Sequence, residues 1–324
     1  MPRLRTEPLE RTAVLDSLAP LRASGKAKGV RAIVTSYIAL TKPRIIELLL
    51  VSTVPTMFVA QRGMPGWWLM VATVVGGTLS AGGANAINMV IDVDIDTIME
   101  RTQGRPLVTG AMTPRAALVF AISIEALAFA FLWATVNLLS AALAVAACLF
   151  YVFVYTLWLK RTSKQNIVIG GAAGAAPVLI GWSAVTNRLD WAPIVLFAII
   201  FFWTPPHFWA LAVKYRDDYS AAKVPMMPSV VSFSKTVASM IRYTIVMVGC
   251  TVLFYWIGQM GTFYLVAALG LGAFFLQQVV ALQAVGRSGG DPTKPAMRLF
   301  GWSITYLLLL FAAMAVDQLL VHGF

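Results

Sequence analysis

Asn88, Asp92 and Asp96 stand four residues apart in the stretch ANAINMVIDVDIDTIMERTQGRP, and Arg101 and Arg105 follow them. Four-residue spacing stacks side chains on one face of a helix. The stretch begins as the end of an apolar segment and turns acidic within one helical turn, so the stripe lies at the mouth of an apolar bundle. An amide oxygen and two carboxylates in that setting form a ligand set for a hard divalent cation such as Mg2+. The arginines beyond the stripe offer planar donors to the phosphate oxygens such an ion bridges.

The chemistry these groups suit is departure of diphosphate from an allylic lipid. Ionising the carbon–oxygen bond leaves a carbocation and a strongly anionic leaving group. Mg2+ with Arg or Lys neutralises the anion, and apolar and aromatic walls keep water from the cation. Asp92, Asp94, Asp96 and Glu100 fall in one loop, Asp217 and Asp218 in another four spans later. The later loop reads KYRDDYSAAKVPMMP, where a four-residue offset puts Lys214 and Asp218 on one helix face before Pro225 and Pro228 break it. Two charged loops in corresponding positions suggest one shared cavity. Asp94 points away from the stripe and is the acid least suited to a ligand role. Two embedded acids are further site candidates: Glu47, for which Lys42 and Arg44 are nearby partners, and Glu125, for which the sequence names none. No Ser/His/Asp or Cys/His arrangement for nucleophilic catalysis is present.

These side chains need a scaffold, and composition says it is dissolved in lipid. The chain is 59% hydrophobic and only 12% charged, with a mean hydropathy of +0.78, far from a soluble domain. From Thr41 onward nine apolar spans are long enough to cross a bilayer: Ile45 to Val59, Trp67 to Ile91, Ala116 to Val136, Leu138 to Leu159, Ile167 to Val185, Trp191 to Val213, Val237 to Ile257, Phe263 to Leu282 and Leu299 to Val321. The first is short unless it extends back through Ser36 to Leu40, with a kink at Pro43. The expected fold is an all-α polytopic membrane helix bundle, one domain over residues 37–324, preceded by a basic tail over 1–36. That tail lacks the apolar core of a signal peptide; it is surface-held or disordered, with a transit peptide as the lesser reading.

The net charge of +11 would suggest nucleic acid in a soluble protein. Here it follows the membrane, and nucleic acid is not expected as a partner. Lys42 and Arg44, then Arg101, Arg105 and Arg115, then Lys160, Arg161 and Lys164, then Lys214, Arg216, Lys223 and Lys235, then Arg287, Lys294 and Arg298 all fall on one side, leaving Arg62 and Arg188 on the other. The positive-inside rule then places the N-terminus in the cytoplasm and the C-terminus in the periplasm of a bacterial inner membrane, or the equivalent sides of a mitochondrial one. Glycines at helical spacing (Gly76, Gly77, Gly82 and Gly83; Gly170, Gly171, Gly174 and Gly181) suit close helix packing in lipid. Trp67, Trp68, Trp191, Trp256 and Trp302 read as interfacial belts. Cys148 and Cys250 have no metal or disulfide spacing and read as buried thiols.

The stretch NMVIDVDIDTIMERTQGRPL resembles the first aspartate-rich motif of the UbiA-type intramembrane prenyltransferases, in the form used by protohaem IX farnesyltransferases. TKPRIIELLLVSTVPTMF, YTLWLKRTSKQNIVIGGAAGAAPVLIGWSAV, WTPPHFWALAVKYRDDY and VPMMPSV are similar to the same subfamily, so the likeness covers most of the chain beyond the tail. It implies transfer of a farnesyl group from farnesyl diphosphate to a vinyl group of haem B, with water supplying a hydroxyl. It further implies Asn88, Asp92 and Asp96 as Mg2+–diphosphate ligands, Arg101, Arg105, Lys160 and Arg161 as diphosphate partners, and Lys214 and Asp218 as a second polar cluster. Haem B and farnesyl diphosphate are then substrates, and haem A synthase or oxidase assembly proteins are the protein partners such an enzyme would meet. His207, deep in a span beside Pro205, Pro206, Phe208 and Trp209, is either a hydrogen-bonded packing residue or an iron ligand or porphyrin contact. The sequence departs from the family pattern at Ala222, where the later motif carries a second aspartate, and at Lys223, where glycine is usual. Prenyl transfer to an aromatic acceptor, transport of an anionic lipid or porphyrin, and haem delivery without chemistry are the rival readings.

Overall fold

The computed structural model describes residues 29–323, and the side chains of all of these except 44–50. The tail reading over 1–28 and the pairing of Glu47 with Lys42 or Arg44 therefore lie outside the described residues. All regular structure among the described residues is helical. Helix α1 spans Val30–Thr41, α2 Pro43–Gln61, α3 Trp67–Ile91, α4 Val93–Ile98 and α5 Pro114–Thr135. Then come α6 over Leu138–Thr162, α7 Asn166–Thr186, α8 Trp191–Lys214, α9 Arg216–Ala221, α10 Met227–Val230, α11 Phe233–Ile257, α12 Thr262–Arg287 and α13 Thr293–His322. Eight of these, α3, α5, α6, α7, α8, α11, α12 and α13, are long and apolar enough to cross a membrane. The first expected span falls in α2, a 19-residue helix that reaches about 28 Å. Pro43 does not kink a continuous helix. Lys42 turns left-handed at φ 53° and ends α1, and Pro43 then starts α2 at the position where its missing N–H costs nothing.

Packing separates the helices by role in a way hydropathy does not. The apolar windows of α7 and α8 are 67% and 61% buried, against 22% for α5, although all are comparably apolar. So α7 and α8 form the centre: α8 packs on α7, α11 and α13, and α7 on α2 and α6, while α3 pairs with α5. Small residues make this approach possible. A Cβ on Gly170 would lie 2.2 Å from the Tyr155 ring, and one on Gly181 would lie 2.7 Å from the Thr53 carbonyl oxygen. Gly77 and Gly174 differ, with nothing within 4 Å of an added Cβ, because they face a cavity rather than a neighbour. Trp67, Trp68, Trp191 and Trp256 are exposed at helix ends, as an interfacial belt requires. Trp302 is not part of that belt: it lies within α13, half-buried, with its ring 4.5 Å from that of Phe274.

Two local irregularities aim side chains at one end of the bundle. In α6 the segment Phe150–Leu159 is π-helical; Thr156 Oγ1 donates to the Tyr151 carbonyl five residues back, at 2.8 Å. The wider turn shifts the register of the helix beyond it, so Lys160 and Arg161 meet the end of α3. Between α3 and α4 the chain bends at Asp92 (φ −91°, ψ 11°). The hydrogen-bond register nevertheless continues, Asp92 N to Asn88 O at 3.0 Å and Asp96 N to Asp92 O at 2.8 Å.

Candidate active site

That continued register keeps Asn88, Asp92 and Asp96 on one side across the bend. All three are buried. Asn88 is held from three directions: its Nδ2 donates to Asp92 Oδ2 (2.7 Å) and to Thr156 Oγ1 (3.1 Å), and its Oδ1 accepts from Lys42 Nζ (2.9 Å). The side-chain amide orientation is fixed by this network, since only the oxygen can accept from an ammonium. Asp92 pairs with Lys160 through Oδ2, while its Oδ1 is buried without a hydrogen bond and has Arg161 NH2 at 3.5 Å. Asp96 pairs with Arg105, and Thr102 Oγ1 donates to the Asp96 carbonyl (2.9 Å), fixing the turn that returns Arg105 to it.

The stripe therefore sits in a ring of cations from three further segments: Lys42 between α1 and α2, Arg105 after α4, and Lys160 and Arg161 at the end of α6. Burial, then the nearby Arg105 and Lys160 charges, push the Lys42 ammonium down to about 7. A group so displaced gains most from an incoming anion. Lys42 joins the site although the sequence offered it only as a topology signal and a partner for Glu47, and the TKPR context was the signal available. Asp94, the acid given the least role, grips the Arg161 guanidinium with both oxygens (2.6 and 2.8 Å). That hydrogen bonding holds its carboxyl below the usual range. Arg161 also donates to the Ile91 carbonyl (3.2 Å), which fixes it beside Asp92.

Behind the stripe opens a cavity of about 530 Å³. Asn88, Asp96, Lys42, Arg101, Arg105 and Lys160 stand at its head with Tyr219 of α9; Tyr151 and Tyr155 of α6 line it below. Tyr151 and Tyr155 stack on each other with centroids 5.3 Å apart. One wall is of small residues from α3 and α7, including Gly77 and Gly174; another, from α8 and α13, is aromatic and carries Trp203, His207 and Phe300. His207 is buried, stacked between Trp203 (4.2 Å) and Phe300 (4.6 Å). Glu125 gains the partner its sequence context lacked, since Ser80 Oγ donates to its Oε1 at 3.0 Å.

The second polar cluster is arranged differently from expectation. Helix α8 ends at Lys214 and α9 starts at Arg216, with Tyr215 (φ −101°, ψ 25°) as the joint, so the four-residue offset from Lys214 to Asp218 is not carried by one continuous helix. No ion pair joins them among the described residues, and neither lines the cavity. Instead the Tyr215 ring has Lys214 Nζ at 5.2 Å and Arg101 at 5.5 Å from its centroid. These cation–ring contacts join the two charged loops across the mouth.

No cluster of three or more His, Cys, Asp or Glu is found among the described residues. The stripe still fits a hard cation: its donors are all oxygen, and Asp92 Oδ1 is a buried carboxylate oxygen with no hydrogen bond to satisfy it. The present partners of Asp96 and Asp92 are the cationic side chains of Arg105 and Lys160, which an incoming anion can draw off as a metal arrives.

Residues 49–304 match the UbiA prenyltransferase family. Protoheme IX farnesyltransferase 2 of Saccharopolyspora erythraea is 54% identical over 285 residues, covering 88% of this chain and 87% of the relative. Protoheme IX farnesyltransferase of Streptomyces avermitilis is 52% identical over 289 residues, covering 89% and 94%. Among solved structures, a digeranylgeranylglyceryl phosphate synthase superposes with a TM-score of 0.71 at 15% identity, covering 88% of this chain and 98% of the other. A UbiA homologue from Archaeoglobus fulgidus bound to GPP and Mg2+ does so with a TM-score of 0.61 at 17% identity, covering 86% and 99%. At these identities the structures speak for the fold.

Proposed function

The chain belongs to the UbiA prenyltransferase family, and we propose that it transfers the farnesyl group of farnesyl diphosphate to a vinyl group of haem B, with water supplying a hydroxyl and diphosphate leaving. The observation that carries the reading is the Asn88, Asp92 and Asp96 stripe ringed by Lys42, Arg105, Lys160 and Arg161 at the head of an apolar, tyrosine-lined cavity. The haem acceptor rests on the names of relatives about half identical over most of the chain.

Asn88, Asp92 and Asp96 would hold Mg2+, which when bound supplies positive charge to the diphosphate. The chain's own residues do the rest. Arg105, Lys160 and Arg161, now paired with the stripe, turn to the phosphate oxygens, joined by Lys42 and Arg101. The stacked Tyr151 and Tyr155 present ring faces where positive charge develops on the allylic carbon. The walls exclude bulk water, so the cation persists until the vinyl group attacks it. Lys214 and Asp218 contribute at the mouth rather than inside it, through the joint at Tyr215. The charged mouth is assigned to the cytoplasmic side of a bacterial cell membrane, with the C-terminus periplasmic.

The test is turnover in membranes carrying the chain, supplied with haem B, farnesyl diphosphate and Mg2+, with extracted haems read by mass spectrometry. The hydroxyethylfarnesyl haem is expected with the unaltered chain, and a loss of at least a hundredfold with Asp92→Asn, which keeps shape but removes the charge facing Lys160. Unmodified haem from intact, inserted protein refutes the acceptor assignment. Undiminished product with Asp92→Asn refutes the site.

A further inference from the structure

Tyr219 stands at the level where the breaking bond lies. It is buried and lines the cavity, and both the Arg105 guanidinium and the Tyr155 ring are close enough to act on its hydroxyl. Arg105 belongs to the ring of cations at the head, Tyr155 to the stacked pair below, where positive charge develops. Tyr219 is thus between the two. Its backbone is fixed on both sides: its N–H donates to the Tyr215 carbonyl (3.1 Å), and its own carbonyl accepts from Val224 N (2.9 Å) across a left-handed turn at Lys223 (φ 53°).

Arg101 holds the side chain by a hydrogen bond to the hydroxyl. A guanidinium has only donors, so the phenol oxygen is the acceptor in that bond and its own proton is left for another partner. Burial pushes the phenol above its usual range, so the proton stays in place at neutral pH. Arg101 also differs from the other cations of the mouth. Arg105, Lys160 and Arg161 are paired with Asp96, Asp92 and Asp94 and must leave them to meet a phosphate. Arg101 has no ion pair among the described residues; the Tyr215 ring face, 5.5 Å away at its centroid, and the Tyr219 oxygen hold it instead. The pair of Arg101 and Tyr219 is therefore set before any anion arrives.

We propose that Tyr219 is a catalytic residue whose O–H donates to the diphosphate oxygen that takes the electron pair as the allylic carbon–oxygen bond breaks, with Arg101 holding the phenol in place. The assignment rests on the prenyl-transfer reading above. The bond breaks with both electrons on the oxygen, and Tyr219 shares its proton without giving it up. A donor polarised by a cation behind it, and aimed where negative charge grows only in the transition state, lowers the barrier more than it tightens ground-state binding. The second charged loop then reaches the chemistry through Tyr219, since Lys214 and Asp218 do not line the cavity.

The test separates binding from chemistry in the purified full chain with Mg2+. Farnesyl thiodiphosphate, a slow-reacting probe, reports ground-state affinity, and a single turnover of farnesyl diphosphate with haem B reports the chemical step. Tyr219→Phe is expected to bind the probe within about threefold of the unaltered chain and to turn over about 10- to 100-fold more slowly. Arg101→Lys keeps a charge for the diphosphate but loses the grip on the phenol. It is expected to slow turnover at least fivefold more than it weakens probe binding, and is the readout should Tyr219→Phe not be recovered folded. Turnover by Tyr219→Phe, or by Arg101→Lys if only that variant folds, that is unaltered or falls no further than probe binding overturns the transition-state role while leaving the reaction standing. No turnover by the unaltered chain overturns the proposed reaction itself, and this role with it.

Discussion

Prenyl length is expected to be set by the cavity wall at Gly77. Gly77 is eleven residues from Asn88 on α3, about 16 Å deeper along the axis, and a Cβ there meets nothing within 4 Å. From bond lengths near 1.5 Å, an extended farnesyl chain runs about 14 Å from its reacting carbon and a geranyl chain about 9 Å. With the diphosphate at the stripe, the third isoprene unit reaches the level of Gly77 and the second stops short. Gly77→Leu therefore obstructs farnesyl and spares geranyl. The magnitude depends on the reference state. Were the displaced tail returned to water, five carbons would be worth about 4 kcal/mol. The tail returns to lipid instead, so that term cancels, and the steric penalty of overfilling, about 1–3 kcal/mol, remains. The ratio of kcat/KM for farnesyl over geranyl diphosphate is expected to fall about 5- to 150-fold. Both diphosphates are supplied together and the prenylated haems weighed by mass. Gly174→Leu, on the same small-residue wall and with the same open space, is expected to act in the same direction. An unchanged product ratio in both variants refutes the reasoning, because folded protein with a Leu in the path of the chain must discriminate.

Asp94→Asn loses the two-oxygen grip on Arg161; with the Asp94 carboxylate 64% exposed, the effect is screened, and a few-fold rise in KM for farnesyl diphosphate at low salt with kcat within about twofold is expected. An equal fall in kcat would count against a positioning role. Thr156→Val removes the hydroxyl that fixes Asn88 and is expected to lower kcat/KM by about 1–2 kcal/mol of misplacement, most visibly as a higher Mg2+ requirement; an unaltered Mg2+ titration argues that Asp92 and Lys42 hold Asn88 unaided. Asp317 of α13 accepts from the backbone N–H groups of Gly261 (2.6 Å) and Tyr264 (2.9 Å), capping α12 from a neighbouring helix. Asp317→Ala is expected to lower stability by about 1–3 kcal/mol, seen as an earlier thermal unfolding midpoint in detergent, and a midpoint that does not move refutes the capping account.

The residues alone determined a good deal. Lipid as solvent, the helical class and most span limits are dictated by hydrophobic runs that only a helix can carry through a bilayer. The stripe at Asn88, Asp92 and Asp96 comes from a four-residue offset that survives the bend at Asp92. Other features needed the tertiary structure, because they depend on which faces meet. Hydropathy cannot separate α7 and α8 at the centre from α5 in lipid, since the same apolar residues serve both. Lys42 and Asp94 acquire roles only through partners 46 and 67 residues away. The joint between Lys214 and Asp218 was not legible either, because the single residue Tyr215 divides into α8 and α9 what the spacing reads as one helix. The setting of His207 was beyond any pattern: its ring stacks on Phe300 only because α13 packs against α8.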